Sequence, residues 1–307
     1  MLAKGRRLVM LACIALTGVH QDVFGQGVSR FDQLIAIERA ASTAEATDRS
    51  SGLKITQAYE RLYPFDRKSV SRMDGATARE GFDAAEVAAF YGSDSSYVDQ
   101  MHAYLTRLET LHAASDRQYA KMQGIDVMHR RFKDAIAIAR SHPVEGMQSV
   151  PRVEGWVDQG TSPSYLVPSD DRLSLHYANA SLHGRQVIVI AHPLCHFSVN
   201  AMHAMEARGK ATVEALKRMR WMTPPEMNLS LTAITGWNRD HPEAAMALAT
   251  RLSDWPILDD WKTPTFYFME DGKVVEKISG WPPVGGEERF YATFDQWTAG
   301  GSGQKHP

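Results

Sequence analysis

A short apolar run at residues 186–190 leads almost directly into a cysteine, and this junction constrains the fold more than any other part of the sequence. The run is rich in valine and isoleucine and follows a turn signal at residues 182–185, which favours a buried strand. After Cys195, the apolar residues Val199, Met202 and Met205 recur at helical spacing. The sequence therefore predicts a single thiol where a buried strand gives way to a helix.

Length and composition set broad limits on the fold. The chain has 307 residues, is 44% hydrophobic and carries a formal net charge of −2. It is long enough for two domains and at least one large core, and its composition is that of an ordinary globular protein. Its only basic run lies at residues 4–7, so we expect no nucleic-acid partner.

The N-terminal segment has the layout of a secretory signal peptide. The basic residues 4–7 precede a short apolar core at residues 8–16, and Val23-Phe24-Gly25 is compatible with cleavage near Gln26. A membrane-spanning helix needs about 20 apolar residues, so this core is too short to span a bilayer. We expect a signal peptide over residues 1–25 and a periplasmic or secreted protein without a membrane span after cleavage. An uncleaved N-terminal anchor is the alternative.

Cleavage at that position would remove Cys13 and leave Cys195 as the only cysteine. An unpaired cysteine in an oxidising compartment is either reactive or buried.

Residues 26–145 predict an α-helical domain. Apolar residues recur at helical spacing in three segments: Ile55, Ala58, Tyr59, Leu62; Val98, Met101, Leu105, Leu108; and Met128, Phe132, Ala135, Ile136, Ala139. Asp83 and Glu86 have capping-box spacing before a helix that would end at Gly92, and one helix is predicted after Gly124. The stripes are interpreted as the core of a helical bundle, with a groove for a protein partner as the alternative.

Residues 150–300 predict a second domain that contains strands. Short strands are predicted near residues 152–157, 173–177 and 229–234, and a helix capped by Asp240 and Glu243 is predicted over 244–252. Asp271-Gly272 predicts a hairpin between strands at 265–269 and 273–278, followed by a helix that carries Phe290, Phe294 and Trp297. The glycine-rich tail 301–307 predicts disorder. From residue 186 this gives an α/β sandwich around one sheet.

These features resemble the thioredoxin superfamily, in particular exported thiol–disulfide oxidoreductases, over about residues 150–298. The strand that runs into Cys195, the Thr263-Pro264 element and the hairpin followed by Gly280 carry the resemblance. It implies a thioredoxin-like sandwich in which Pro264 is cis and faces the cysteine. The sequence departs from the family at its active-site motif, because Ser198 stands where Cys-x-x-Cys would have its second cysteine.

The residues around the thiol predict the chemistry. A cysteine at a helix N-terminus faces free backbone N–H groups that favour the thiolate, and His196 and His192 would add positive charge. Ser198 would donate a hydrogen bond to the thiolate. A thiolate forms mixed disulfides, but Ser198 cannot resolve them, so an external thiol must.

We therefore predict monothiol disulfide exchange or isomerase-like activity, with Cys195, Ser198 and His196 as catalytic residues. The predicted partners are protein thiols or disulfides, and no cofactor is expected. The resemblance implies that Thr263 and Pro264 shape the substrate groove.

Other functions stay open at this point. A thioredoxin fold without its redox pair can serve as a binding module, because fold does not fix function. His192, Cys195 and His196 have ligand types that suit copper or zinc, although further ligands are not evident. Peroxidase chemistry ranks low because the residues before Cys195 do not fit its motif. The aromatic residues Trp255, Trp261, Tyr267 and Trp281 indicate core packing, with an apolar substrate rim as the alternative.

Overall fold

A computed structural model describes residues 28–43, 47–155, 163–282 and 287–299. The predicted signal peptide, Cys13 and the glycine-rich tail lie outside the described residues. The described chain is mixed α/β, with a helical N-terminal region followed by a sheet region. None of the described helices is long and apolar enough to span a membrane.

The N-terminal region consists of helices, most of which pack their apolar faces into one core. The helices are α1 Arg30–Thr43, α2 Asp48–Leu62, α3 Arg67–Val70, α4 Gly75–Tyr91, α5 Ser96–Thr110, α6 Asp116–Met128 and α7 Phe132–Ser141. The stripe predicted on α5 is buried, as are Ile55, Ala58 and Tyr59 on α2. The bundle-core interpretation of these two stripes is therefore confirmed.

The predicted start of α4 was wrong. The helix begins after Asp74, whose carboxylate accepts a hydrogen bond from the Thr77 N–H at 2.8 Å. Asp83 and Glu86 lie inside the helix, where both carboxylates contact the Lys121 ammonium of α6. Their spacing of three residues places them on one helix face, which serves an ion pair as well as it serves a cap.

The single helix predicted after Gly124 is two helices. Arg130 adopts φ of 58°, a left-handed conformation that ends α6 before α7 begins at Phe132. Gly124 lies inside α6 instead of preceding a helix. A Cβ there would approach Met227 Cε to 2.6 Å, so the close approach of residue 227 explains the glycine.

In the described residues, eight strands form one sheet in the order β1-β3-β2-β6-β5-β4-β7-β8. The strands are β1 Arg152–Glu154, β2 Ser164–Pro168, β3 Ser174–Asn179, β4 Arg185–Ile190, β5 Met219–Thr223, β6 Met246–Ala249, β7 Thr265–Glu270 and β8 Lys273–Ser279. The strands β4, β5 and β6 are parallel neighbours, and β7 and β8 continue the sheet antiparallel beyond β4. The helices of this region are α8 His196–Ala207, α9 Lys210–Leu216, α10 Leu231–Asp240 and α11 Glu288–Ala299.

Two predictions between the thiol and the hairpin were wrong. Residues 229–234 do not form a strand, because α10 occupies most of them and buries Ile234 and Trp237; the strand is β5, ten residues earlier. The helix predicted over 244–252 is replaced by strand β6, which is buried along its whole length. A fully buried parallel strand shows no alternation of polar residues, so its pattern is not distinguishable from a short apolar helix.

Other predicted elements agree with the structure. Asp271 and Gly272 have φ of 46° and 76°, and they connect β7 to β8 as a tight hairpin. Gly209 has φ of 99° and separates α8 from α9. Strand β2 was missed, and the domain boundaries proposed from composition stay a prediction.

Strand β4 lies in the middle of the sheet and is buried on both faces. Val187 and Val189 face one apolar cluster, which includes Trp221 of β5. Ile188 and Ile190 face a second cluster on the other side of the sheet. This double burial fixes the strand end from which the chain continues to Cys195.

Candidate functional site

Cys195 lies where the sequence placed it, between the buried strand β4 and helix α8. It is the N-cap residue of α8, with extended backbone angles of φ −85° and ψ 114°. Its carbonyl accepts the first helical hydrogen bond, from the Val199 N–H at 3.0 Å. The side chain is partly exposed and is unpaired as a free thiol.

The thiol is surrounded by hydrogen-bonding groups from two parts of the chain. It donates to the Thr263 carbonyl oxygen, with 3.3 Å between Sγ and O. Burial raises the pKa of Cys195. The opposing effect comes from hydrogen bonds with the Thr263 side chain, the Ser198 N–H and hydroxyl, and the Phe197 N–H. Together they outweigh burial, so the pKa of Cys195 lies below its usual value. The site therefore favours a thiolate at a helix N-terminus.

Ser198 is held in a fixed position beneath the thiol. Its side chain is completely buried, and its Oγ accepts a hydrogen bond from the His192 N–H at 3.3 Å. A hydroxyl that accepts from this N–H keeps its own hydrogen free to donate to the sulfur. The role predicted for Ser198 as a donor to the thiolate is consistent with this geometry.

His192 has both ring nitrogens engaged away from the thiol. Its Nδ1 accepts from the Leu194 N–H at 3.2 Å, and its Nε2 lies 3.3 Å from Glu226 Oε2. Since Nδ1 is an acceptor, Nε2 carries the proton and donates to the carboxylate. This residue braces the loop before Cys195.

His196 is exposed to solvent, and its ring packs against Phe197 with 3.8 Å between ring centroids. The largest contributions that lower the thiol's pKa are hydrogen bonds from Thr263, Ser198 and Phe197. The sequence predicted contributions from backbone N–H groups and the Ser198 hydroxyl, and it also predicted charge from the two histidines, which are not among these largest contributions. Whether His196 takes part in catalysis stays a prediction.

The structure also brings the Thr263-Pro264 element to the thiol, through a contact of Thr263. The peptide bond between them is cis, Pro264 is buried, and its carbonyl accepts from the Gly280 N–H at 2.7 Å. Thr263 is the residue that contacts Sγ directly. Their role in substrate binding stays a prediction.

Two exposed apolar side chains flank the cysteine. Leu194 is 72% exposed and Phe197 is 46% exposed, although the residues around them in the sequence include buried ones. By contrast, Trp255, Tyr267 and Trp281 are buried, so the core-packing interpretation holds for these three aromatic residues.

A metal site at the cysteine finds no support in the described residues. Among the described residues, the one group of three potential metal ligands that lie close together consists of His102, Asp126 and Asp134, in the helical region. Arg131 already supplies a cation to that group, with its Nε 2.9 Å from Asp134 Oδ2 and 3.9 Å from Asp126 Oδ1. An ion pair network explains the cluster without a metal.

Sequence reasoning missed two residues that reach the site region from far away in the chain. Asp48 and Arg49, at the start of α2, hydrogen-bond to the segment that precedes Thr263. The pairs are more than 200 residues apart, and no local pattern marks them.

Comparisons with known proteins add little. No protein-family model matches this chain, and no curated protein matches it. A solution structure from Neisseria meningitidis, provisionally described as a thioredoxin, is similar over 48% of this chain and 100% of its own length, with 16% identity and a TM-score of 0.30. At that identity and TM-score, the likeness assigns neither a family nor an activity.

Proposed function

We propose that the sheet region is a thioredoxin-like domain of the exported type and that it exchanges disulfides through Cys195 as a monothiol. The observation that carries this proposal is the position of Sγ at the start of α8, where N–H and hydroxyl groups lower the pKa of Cys195. A thiol that ionises readily and is partly exposed is the kind that attacks disulfides.

The reaction conserves atoms and electrons without a cofactor. The Cys195 thiolate attacks one sulfur of a substrate disulfide; the Cys195–substrate S–S bond forms, the substrate S–S bond breaks, and the other substrate sulfur leaves as thiolate. A second thiolate, from the substrate or from another molecule, then attacks the mixed disulfide and releases Cys195. Disulfides are exchanged and none is created or consumed, which is isomerase-like chemistry.

Ser198 would assist this cycle without taking part in a covalent step. An alcohol does not form an alkoxide at ordinary pH, so its oxygen cannot displace the substrate from Cys195. Its buried hydroxyl can stabilise the thiolate both before attack and on release.

Polypeptides are the substrate class that the surroundings of the thiol favour. Leu194 precedes Cys195 in the sequence, Phe197 follows it, and both expose apolar side chains to solvent. The thiol itself contacts the Thr263 carbonyl. Exposed apolar side chains around a reactive group suit an unfolded or partly folded chain. The predicted signal peptide would deliver the protein to a compartment where such disulfides form.

The same exposed surface favours a second candidate function, a binding module for a protein partner that does not use the thiol. A partner that docks through the helical region also stays a proposal.

Mixed-disulfide trapping separates the two functions. The full chain, in a Cys13→Ser background, is incubated with scrambled ribonuclease and quenched with acid, and adducts are detected by non-reducing electrophoresis and mass spectrometry. We expect adducts through Cys195, none with Cys195→Ser, and unchanged yields with Ser71→Ala, a change on the helical region's surface. Absence of covalent adducts in the parent chain would overturn the exchange proposal, and retention of scrambled ribonuclease on the immobilised full chain that is equal in the parent and in Cys195→Ser would then support the binding module.

A further inference from the structure

The start of helix α2 is hydrogen-bonded to the loop at residues 256–261, which leads to the thiol site. One nitrogen of the Arg49 guanidinium, Nη2, donates to the Pro256 carbonyl at 2.6 Å and to the Leu258 carbonyl at 2.8 Å. The Arg49 N–H donates to the Asp259 carbonyl at 3.1 Å. Two adjacent sets of contacts thus fix three carbonyls of one short segment.

Asp48 makes a further hydrogen bond to the same loop, closer to Thr263. Its Oδ2 accepts a hydrogen bond from the Trp261 N–H at 2.8 Å. Trp261 is two residues before Thr263, whose carbonyl and side chain contact the Cys195 sulfur. Between them, the Lys262 N–H donates to Asp260 Oδ1 at 3.4 Å and the Lys262 carbonyl accepts from the Thr265 hydroxyl at 2.7 Å, so hydrogen bonds hold the segment up to the residue that contacts the sulfur.

The sheet region holds the other side of the same loop. The Asp260 N–H donates to the Tyr267 hydroxyl at 2.7 Å, and the Asp260 carboxylate accepts from the Ser279 hydroxyl at 3.1 Å. Asp259 pairs with Lys277 at 3.0 Å. The loop is thus held between β7 and β8 on one side and α2 on the other.

We propose that Asp48 and Arg49 are positioning residues for the thiol site, which hold residues 256–261 so that Thr263 meets the Cys195 sulfur. Through these two residues the helical region sets the reactivity of a thiol that belongs to the sheet region. This inference rests on the proposed function of Cys195. It assigns the helical region a role in that function in addition to any role as a docking domain.

The charges around Asp48 fit a carboxylate used as a structural acceptor. Burial raises its pKa, the nearby Asp260 raises it further, and the Trp261 N–H and Lys262 lower it. Tyr91 of α4 also lies close enough to be affected by its charge. The acceptor that Trp261 needs is an oxygen and not a charge, so an amide in place of the carboxylate keeps the contact.

The test is the pH profile of Cys195 alkylation by iodoacetamide, measured on the full chain in a Cys13→Ser background. Arg49→Ala and Asp48→Ala remove the side-chain hydrogen bonds to the loop, whereas Asp48→Asn keeps an oxygen that can accept from the Trp261 N–H. Thr263→Val removes the hydroxyl near the sulfur and serves as the reference for a lost Thr263 contact. The matched controls are Arg79→Ala, which removes another arginine-to-carbonyl contact at Ala113, and Asp116→Ala, which removes another acidic residue at a helix start.

We expect Arg49→Ala and Asp48→Ala to shift the profile to higher pH, in the direction of Thr263→Val, and to slow alkylation at pH 7 about two- to tenfold, the range of one lost hydrogen bond. Asp48→Asn and both controls should follow the parent profile. Hydrogen exchange of the amides of residues 261–263 and 265 should speed up in the same two variants.

The outcomes separate the inference from the proposed function. A depressed thiol pKa in the parent chain that neither Arg49→Ala nor Asp48→Ala changes would overturn the inference alone, and unchanged exchange of the amides of residues 261–263 and 265 would show that β7 and β8 suffice to hold the loop. An ordinary thiol pKa in the parent chain would overturn the proposed function and the inference with it. Circular dichroism identifies any variant that fails to fold; Arg49→Gln, whose shorter side chain does not reach both carbonyls, then replaces Arg49→Ala, and a parent-like profile in that variant would overturn the inference.

Discussion

The helical region and the sheet region differ in how their cores are built. In the helical region, neighbouring helices along the chain pack together, and residues such as Phe82 and Met101 form a cluster of their own. In the sheet region, β2, β4, β6 and β7 come from distant parts of the chain and enclose a cluster on each face. Helix α7 also packs against the sheet region, because its Phe132 lies in the cluster on one sheet face.

The contacts between the two regions differ in kind from the contacts within each region. Apart from those of helix α7, many of the contacts between the regions are polar and end on backbone carbonyls: Arg130 donates to Ala249 at 2.6 Å, and Arg49 donates to Pro256 and Leu258. Apolar packing keeps each region folded, whereas directional hydrogen bonds set the position of one backbone segment against another. The start of α2 therefore contacts the loop at 256–261 through hydrogen bonds, and the helical region enters the sheet region's core only near its C-terminal end.

Core truncations test whether the two cores are separate, and they should have the largest effect. Phe82→Ala and Phe268→Ala each remove a fully buried ring and should lower the free energy of unfolding of their own region by about 3–5 kcal/mol. All seven tryptophans lie at residue 156 or later, so tryptophan fluorescence follows the sheet region, whereas far-UV circular dichroism follows both. In urea, Phe82→Ala should shift the circular dichroism transition and leave the fluorescence transition in place.

Phe268→Ala should do the reverse and shift the fluorescence transition. If both signals shift together in either variant, the regions unfold as one cooperative unit and the contrast between them fails.

Two helical glycines sharpen the comparison of packing. A Cβ at Gly52 of α2 would lie 2.4 Å from the Tyr91 carbonyl oxygen, so Gly52→Ala should push α2 from α4 and destabilise the helical region by about 1–3 kcal/mol. A Cβ at Gly236 of α10 meets nothing within 4 Å, so Gly236→Ala should be neutral or stabilise the sheet region by up to about 1 kcal/mol. Thermal unfolding of both variants checks this, and an equal effect of the two would contradict the packing described for α2.

The two regions also differ in how far the sequence predicts them. Helical stripes such as that on α5 have a local period and were found, as were the Asp271-Gly272 turn and the strand before Cys195. Burial on both faces removed the period of β6, and α10 was assigned as a strand for lack of a distinguishing pattern. The position of Cys195 at a helix start was predicted, whereas the contacts of Asp48 and Arg49 depend on tertiary packing that no local pattern encodes.

Within the sheet region, Ser198→Ala should raise the pKa of Cys195. The substitution removes a hydroxyl that lowers this pKa, so the thiolate forms at higher pH and the alkylation profile moves up by about one unit, which is tenfold in rate at neutral pH. Ser71→Ala, on the surface of the helical region, should leave the profile unchanged. A profile that stays in place in Ser198→Ala would mean that backbone N–H groups alone activate the thiol.

His196→Ala should have the smallest effect. An exposed imidazole contributes little charge stabilisation in water, so the midpoint of the alkylation profile should move by less than about half a unit. The same titration at high salt should give an even smaller difference, because salt screens exposed charges. A shift comparable with that of Ser198→Ala would restore the histidine to the role that the sequence suggested.

The oxygen of Ser198 has a consequence for time as well as for chemistry. Under the proposed function, and with Cys13 removed together with the predicted signal peptide, the mature chain has no second thiol to release a captured substrate, so the lifetime of the mixed disulfide depends on the concentration and pKa of external thiols. Where such thiols are scarce, the protein would hold its substrates for long periods, and where they are plentiful it would release them quickly. The thiol content of its surroundings would then control how long each substrate stays bound.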